Sequence, residues 1–145
     1  MWRVGTVRAE LKSLYSPDAL SAPDLSMWQP TDPSNFAIYL QAFIGPGVDE
    51  ASDSFDVLLC TPRWLGDNWD HPGVGKYGLS AQVKSGRGLV LMQRWDYSEL
   101  DDAIRRLCST MIGKTWADVA DRIGRHLPWE FDSRFDEEQD KRRSP

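Results

Sequence analysis

Apolar and polar residues alternate in two segments of the first half of the chain, 6–15 and 35–44, and residues 55–61 form a mainly apolar run that predicts a buried third strand. A period of two residues is typical of a strand with one buried face. The connection between the second and third segments is short and contains glycine and aspartate, which predicts an antiparallel hairpin. The inner positions of the first two segments are predicted to be Val7, Ala9, Leu11, Phe36, Ile38, Leu40 and Ala42.

The period changes in the second half of the chain. Residues 88–95 still alternate and predict a fourth strand, placed centrally in the sheet because both of its faces carry apolar residues. After Asp96 the apolar spacing becomes three and four, which predicts a helix that starts near Ser98 and ends at Gly113, then a second helix that Thr115 caps. The inner helical positions are predicted to be Leu100, Ala103, Ile104, Leu107, Cys108, Met111, Trp116, Val119, Ala120, Ile123 and Leu127.

These elements predict an α+β fold, an antiparallel sheet of four or more strands with two C-terminal helices packed on one face. We expect one domain over residues 1–135, followed over 136–145 by a charged, disordered tail. Pro62 permits a helical turn after the third strand, and residues 66–85 predict a long loop rich in glycine.

Charge and composition narrow the classes of function. The formal net charge is -5 and the pI is about 5.0, which argues against binding to nucleic acid and favours a basic protein partner. No apolar run is long enough to span a membrane and no secretory signal is visible, so we expect a cytoplasmic protein. Cys60 and Cys108 fall at apolar positions and are interpreted as reduced core residues.

Candidate chemistry is sparse. Nucleophilic catalysis needs a base, and the chain has only His71 and His126; His71 follows Asp70, which could orient it, although a solvated loop histidine is the commoner case. His126 falls in the last turn of the second predicted helix, where a cation is favoured. Metal-ligand and phosphate-loop spacings are missing from the sequence, so we expect neither a metal nor a cofactor, and no catalytic residue.

Seven tryptophans invite a stacking interpretation. Trp95, Trp116 and Trp129 fall at positions that predict core packing, with Trp129 and Phe131 sealing an edge of the sheet. The loop residues Trp28, Trp64 and Trp69 are candidates for partner anchors, because exposed tryptophan is enriched at binding hot spots.

The chain resembles the immunity protein 8 family of bacterial toxin antidotes in a series of segments that occur in order. These are residues 9–18 (AELKSLYSPD), 36–45, 54–65 (SFDVLLCTPRWL), 115–120 (TWADVA) and 128–131 (PWEF). The resemblance implies a cytoplasmic immunity protein that binds and neutralises a cognate toxin, and it implies no catalytic residue. Such toxins are often nucleases with a basic substrate groove, so a basic nuclease is one option for the partner.

A surface for such a partner needs acidic groups that steer the encounter and aromatic anchors that slow dissociation. We hypothesise that the toxin-binding residues are Asp49, Glu50 and Asp53 of one turn together with Asp67, Trp69 and Asp70 of the long loop. The alternative for these residues is a solvated acidic rim. Two other functions stay open, a small hydrolase that uses His71 with Asp70, and an adaptor domain that binds a partner other than a toxin.

Overall fold

The computed structural model describes residues 5–20, 22, 24–75 and 80–129; the expected tail lies outside them. Within the described residues, five strands form one sheet in the spatial order β4-β3-β2-β1-β5. The strands are β1 (Val7–Tyr15), β2 (Ala37–Pro46), β3 (Asp53–Cys60), β4 (Leu89–Leu91) and β5 (Ile112–Gly113). The helices are α1 (Pro62–Asp67), α2 (Tyr97–Ser109) and α3 (Trp116–Ile123), which confirms the α+β class.

The three strands predicted in the first half of the chain are confirmed. β1 pairs with β2, and β2 with β3, in antiparallel register. Leu40 lies opposite Val57 and Ala42 opposite Phe55, and all four side chains are buried. A bulge between Leu11 and Ser13 reverses the alternation of β1.

The fourth strand differs from its prediction. It covers only Leu89–Leu91, lies at one edge of the sheet, and runs parallel to β3, so the sheet is mixed and not purely antiparallel. Val90 packs against the core, whereas the side chain of Leu91 is 52% exposed. Apolar residues on both faces of a short edge strand therefore produced the same pattern as a central strand.

The two C-terminal helices exist, with different limits. Asp96 caps α2 by accepting a hydrogen bond from the Glu99 backbone N–H at 3.2 Å, so this helix starts before Ser98. It ends at Ser109, and the residues expected to complete its last turn instead form β5, which pairs with β1. Thr115 caps α3 as predicted, by accepting from the Asp118 N–H.

The core lies between the sheet and these two helices, both of which contact β1. Buried residues of α2 and α3 meet the inner positions of β1, β2 and β3. Cys108 belongs to this core, whereas Cys60 is buried on the other side of β3, and both are free thiols. Trp28, one of the candidate partner anchors, packs edge-on against Phe36 and Trp95 at ring distances of 5.9 and 4.8 Å.

The outer edge of β3 is closed by two different segments. β4 pairs with its second half, while Pro128 and Trp129 cover its first half: the Asp56 N–H donates to the Pro128 carbonyl at 3.0 Å, and Trp129 bridges to Phe55. The prediction that Trp129 seals a sheet edge is confirmed. Phe131, named in the same prediction, lies outside the described residues.

Candidate functional site

The side of the sheet that faces away from α2 and α3 carries exposed aromatic and polar residues, and we call it the open face. Tyr15, Gln41 and Asp56 lie side by side across β1, β2 and β3. Tyr15 is 46% exposed and Asp56 is exposed as well. In the next cross-strand row the half-buried Phe43 lies between Ser13 and Ser54. The open face thus combines aromatic surface with hydrogen-bonding groups on a rigid support.

Tyr39 is the third aromatic residue of the open face and is 43% exposed. β1 ends before it could pair with Tyr39, and the Tyr39 backbone N–H donates to the carboxylate of Asp18 at 2.7 Å. The loop after α1 approaches its hydroxyl at Gly73, where an added Cβ would lie only 2.7 Å from the tyrosine oxygen. Glycine therefore allows this close approach, and Tyr39 is held from both sides.

Helix α1 and the loop that follows it cover one end of the open face. The buried hydroxyl of Thr61 accepts hydrogen bonds from the N–H groups of Trp64 at 3.3 Å and Phe36 at 3.2 Å, which fixes the start of α1. The loop then buries Val74, while His71 stacks edge-on against Trp64 with 5.0 Å between ring centres.

His71 has a structural role in this loop. Its Nδ1 accepts a hydrogen bond from the Gly73 N–H at 3.0 Å, so the ring closes a tight turn, and its other ring neighbour is Tyr39 at 6.4 Å. Asp70 is exposed, and among the described residues no hydrogen bond or ion pair joins it to His71. Within the described residues, the pairing of His71 with Asp70 that the hydrolase alternative requires is therefore not formed.

Trp69 is fixed at the edge of the same loop. Its indole N–H donates to the Ala81 carbonyl at 2.9 Å, and the ammonium of Lys84 lies 5.4 Å from the ring centre while also donating to the Trp69 carbonyl. The ring stays 38% exposed. Asp67 and Asp70, which flank it in sequence, are exposed as well.

Asp49 and Glu50 are exposed in the turn between β2 and β3. The Asp49 carboxylate accepts a hydrogen bond from the Ala51 N–H at 2.9 Å, and the Lys12 ammonium donates to the Asp49 carbonyl at 2.8 Å. Because β3 separates this turn from α1, the two predicted acidic groups lie about 24 Å apart, at opposite ends of the strand.

Asp53 lies on the other side of the sheet, towards the helices. One oxygen of its carboxylate accepts hydrogen bonds from the indole N–H groups of Trp116 at 2.7 Å and Trp129 at 3.0 Å. It pairs with Ile44 and shares the inward direction of Phe55, since alternate residues of a strand point the same way. This strand parity was readable from the sequence, and it also places Asp56, which the predicted site omitted, on the open face.

The described residues offer little for covalent chemistry. Burial raises the pKa of the Cys60 thiol to about 11, and burial, opposed by the nearby Arg105, raises that of Cys108 to about 11, so both thiols are protonated at neutral pH. Among the described residues, no three His, Cys, Asp or Glu side chains are grouped as metal ligands would be. In the same part of the chain, none of the helices has the length and apolar character needed to cross a membrane.

Comparison with known proteins identifies the family. The family model for immunity protein 8 matches residues 9–134, most of the chain and all but the first few described residues. Searches of curated proteins and of solved structures gave no match. The match confirms the resemblance drawn from the segment order, and it supports the toxin-neutralising function over the hydrolase and the adaptor. The chain therefore belongs to the immunity protein 8 family, and its function is to neutralise a toxin.

Proposed function

We propose that the protein neutralises its cognate toxin by binding it at the open face, with Tyr15, Tyr39 and Phe43 as the aromatic anchors. The observation that carries this proposal is the exposure of Tyr15 and Tyr39, 46% and 43%, on a sheet whose side chains are held by cross-strand neighbours. Tyrosine provides a large contact area at a low cost in conformational entropy and is enriched at binding hot spots.

The area that a stable interface buries indicates how much of the surface around the open face the toxin must also contact. The face of three strands that are about 24 Å long is about 14 Å wide, which gives about 340 Å² of flat surface. A stable interface buries about 800 Å² on each partner. The toxin must therefore also contact the ends of the face, where the turn with Asp49 and Glu50 and the loop with Asp67, Trp69 and Asp70 lie.

Charge sets the chemistry of the partner. Asp56 is exposed on the open face, and Asp49, Glu50, Asp67 and Asp70 are exposed at its two ends. These carboxylates suit a toxin with a basic surface, such as the substrate groove of a nuclease, because opposite charges accelerate association. Inhibition then follows from covering the toxin, without catalysis by this chain and in the cytoplasm of the protected cell.

The proposal is tested by the affinity for the toxin encoded beside this gene and by rescue of growth when that toxin is expressed. We expect Tyr39→Ala to raise the Kd at least tenfold and to impair rescue, since truncating a hot-spot anchor costs more than about 1.4 kcal/mol. Met27→Ala is the matched control, because Met27 is 66% exposed but lies outside the open face. An unchanged Kd for both Tyr39→Ala and Tyr15→Ala would refute the proposal.

The acidic loop has its own test. Reversing the charges of Asp67 and Asp70 with lysine is expected to lower the association rate constant and to weaken its dependence on salt, because exposed charges act mainly on encounter. The same change at Glu99 and Asp102, which are exposed on α2 away from the open face, is the control. Equal association rates for the two double variants would remove the loop from the interface.

A further inference from the structure

A cleft of about 540 Å³ opens between β4, α2 and the end of α3, away from the open face. Its walls are mainly apolar, and Ala103 on the α2 side is exposed. The apolar lining residues are Leu89, Val90, Ile104, Leu107 and Leu127. The two helices thus leave part of the sheet uncovered next to its β4 edge.

The charged groups of the cleft are all basic. Among the described residues that line it, the ionisable side chains are Arg87, Arg125 and His126, with no carboxylate. Arg87 is half-buried and donates to the Gly124 carbonyl at 2.9 Å, so it is part of the wall. Arg125 is 67% exposed, and its ion pair with Asp121 is long, 3.7 Å, which leaves the guanidinium available to a carboxylate from outside.

The backbone of β4 presents hydrogen-bonding groups at the edge of the sheet. Gly88 and Met92 both bond to β3, through the Gly88 carbonyl at 2.8 Å and the Met92 N–H at 3.1 Å. By the two-residue period of a strand, the N–H and carbonyl of Leu91 point away from β3, towards the edge of the sheet. No other strand among the described residues pairs with that edge, and an unpaired strand edge is a template for an extended peptide.

We infer that this cleft binds an extended segment of the toxin that carries apolar side chains and at least one carboxylate. The segment adds to the sheet beside Leu91, an apolar side chain enters between α2 and residues 125–127 after α3, and the carboxylate meets Arg125. The absence of lining carboxylates disfavours a basic segment in the same place. The identity of the partner rests on the proposed function, whereas the chemistry of the segment rests on the cleft alone.

The chemistry of the segment is tested without the toxin, by NMR titration of the isotope-labelled full chain with two model peptides. One peptide alternates leucine with glutamate, and the other alternates leucine with lysine. We expect saturable shifts of the Leu91, Ala103 and Arg125 amides with the glutamate peptide and at least tenfold weaker binding of the lysine peptide. Equal binding of the two peptides, or shifts confined to other surfaces, would overturn the inference.

Filling the cleft tests the same site by mutation. Ala103→Glu places a carboxylate in the cleft, and Ala117→Glu is the matched control because Ala117 is exposed on α3 and does not line it. Glutamate is a good helix former, so both variants should fold, which thermal melting checks. We expect Ala103→Glu to weaken the glutamate peptide at least tenfold and Ala117→Glu to leave it unchanged; the same affinity in both variants would contradict the inference.

The toxin complex separates the two proposals. If Ala103→Glu and Tyr39→Ala each raise the Kd for the toxin at least tenfold, both surfaces take part. If only Tyr39→Ala does so, the cleft does not bind the toxin and the open-face proposal stands. If only Ala103→Glu does so, the cleft binds the toxin and the open-face proposal is wrong.

Discussion

Asp53→Ala should destabilise the fold without weakening toxin binding. The Asp53 carboxylate joins α3 and the segment after it to β3, through hydrogen bonds of 2.7 Å from the Trp116 indole and 3.0 Å from the Trp129 indole. All three residues are half-buried. Alanine removes the acceptor of both bonds and leaves two indole N–H groups to find water at the margin of the core.

The size of the effect follows from these two bonds. A hydrogen bond to a charged group contributes about 1.5–3 kcal/mol, and the lower end applies here because the groups are only half-buried. The free energy of unfolding should therefore fall by about 3 kcal/mol. For a domain of this length each kcal/mol corresponds to about 3 °C, so the Tm should fall by about 10 °C.

Denaturant titration and calorimetry measure the loss, with Asp67→Ala as the control because Asp67 is exposed at the end of α1. Asp67→Ala should change the free energy of unfolding by less than about 0.5 kcal/mol. The Kd of Asp53→Ala for the toxin should equal that of the wild type below the melting transition. A loss of stability under about 1 kcal/mol would refute the role assigned to the carboxylate, and a tenfold weaker Kd would return Asp53 to the interface.

Three further predictions concern buried cysteines and a closely packed glycine. Cys60 and Cys108 should react with a thiol reagent only after denaturant unfolds the chain, because both are buried. The pKa of each thiol is about 11 in the folded chain and 9.0 ordinarily, so unfolding releases protons when the pH lies between these values. The free energy of unfolding should therefore fall as the pH rises from about 9 to about 11. Denaturant titrations of the variant with Cys60→Ala and Cys108→Ala should show a smaller fall. Gly73→Ala should cost about 1–3 kcal/mol and weaken toxin binding, since its Cβ would meet Tyr39 and Leu58 at 2.7 and 3.1 Å, whereas Gly66→Ala, which meets nothing within 4 Å, should do neither.

The sequence predicted the strands and helices that are long enough to show a recognisable apolar pattern. β2, α2 and α3 carry several buried residues at regular spacing, β1 does so up to its bulge, and β3 is buried along most of its length. β4 and β5 have three and two residues, too few to define a period, and their places in the sheet depend on contacts with distant parts of the chain. The direction of β4 and the mixed character of the sheet were therefore beyond local reasoning.

The candidate site was predictable in part. Turn and loop composition identified Asp49, Glu50, Asp67, Trp69 and Asp70, all of which are exposed. Asp53 was predicted together with the turn, whereas it is half-buried and accepts hydrogen bonds from Trp116 and Trp129; its inward direction follows from that of the buried Phe55. Tyr15 and Tyr39 were not predicted as surface residues of the site because an aromatic residue in a strand suggests core packing, and only the tertiary structure shows that they are 46% and 43% exposed.

Hydroxyl-radical footprinting of the complex tests whether the toxin covers the open face. Backbone amides of the sheet are already protected by strand pairing, so side-chain oxidation reports the open face better than hydrogen exchange does. If the open face binds the toxin, binding slows the oxidation of Tyr15 and Tyr39 at least tenfold. The oxidation of Met27, which is 66% exposed, stays unchanged. Undiminished oxidation of both tyrosines in the saturated complex would contradict the open-face proposal.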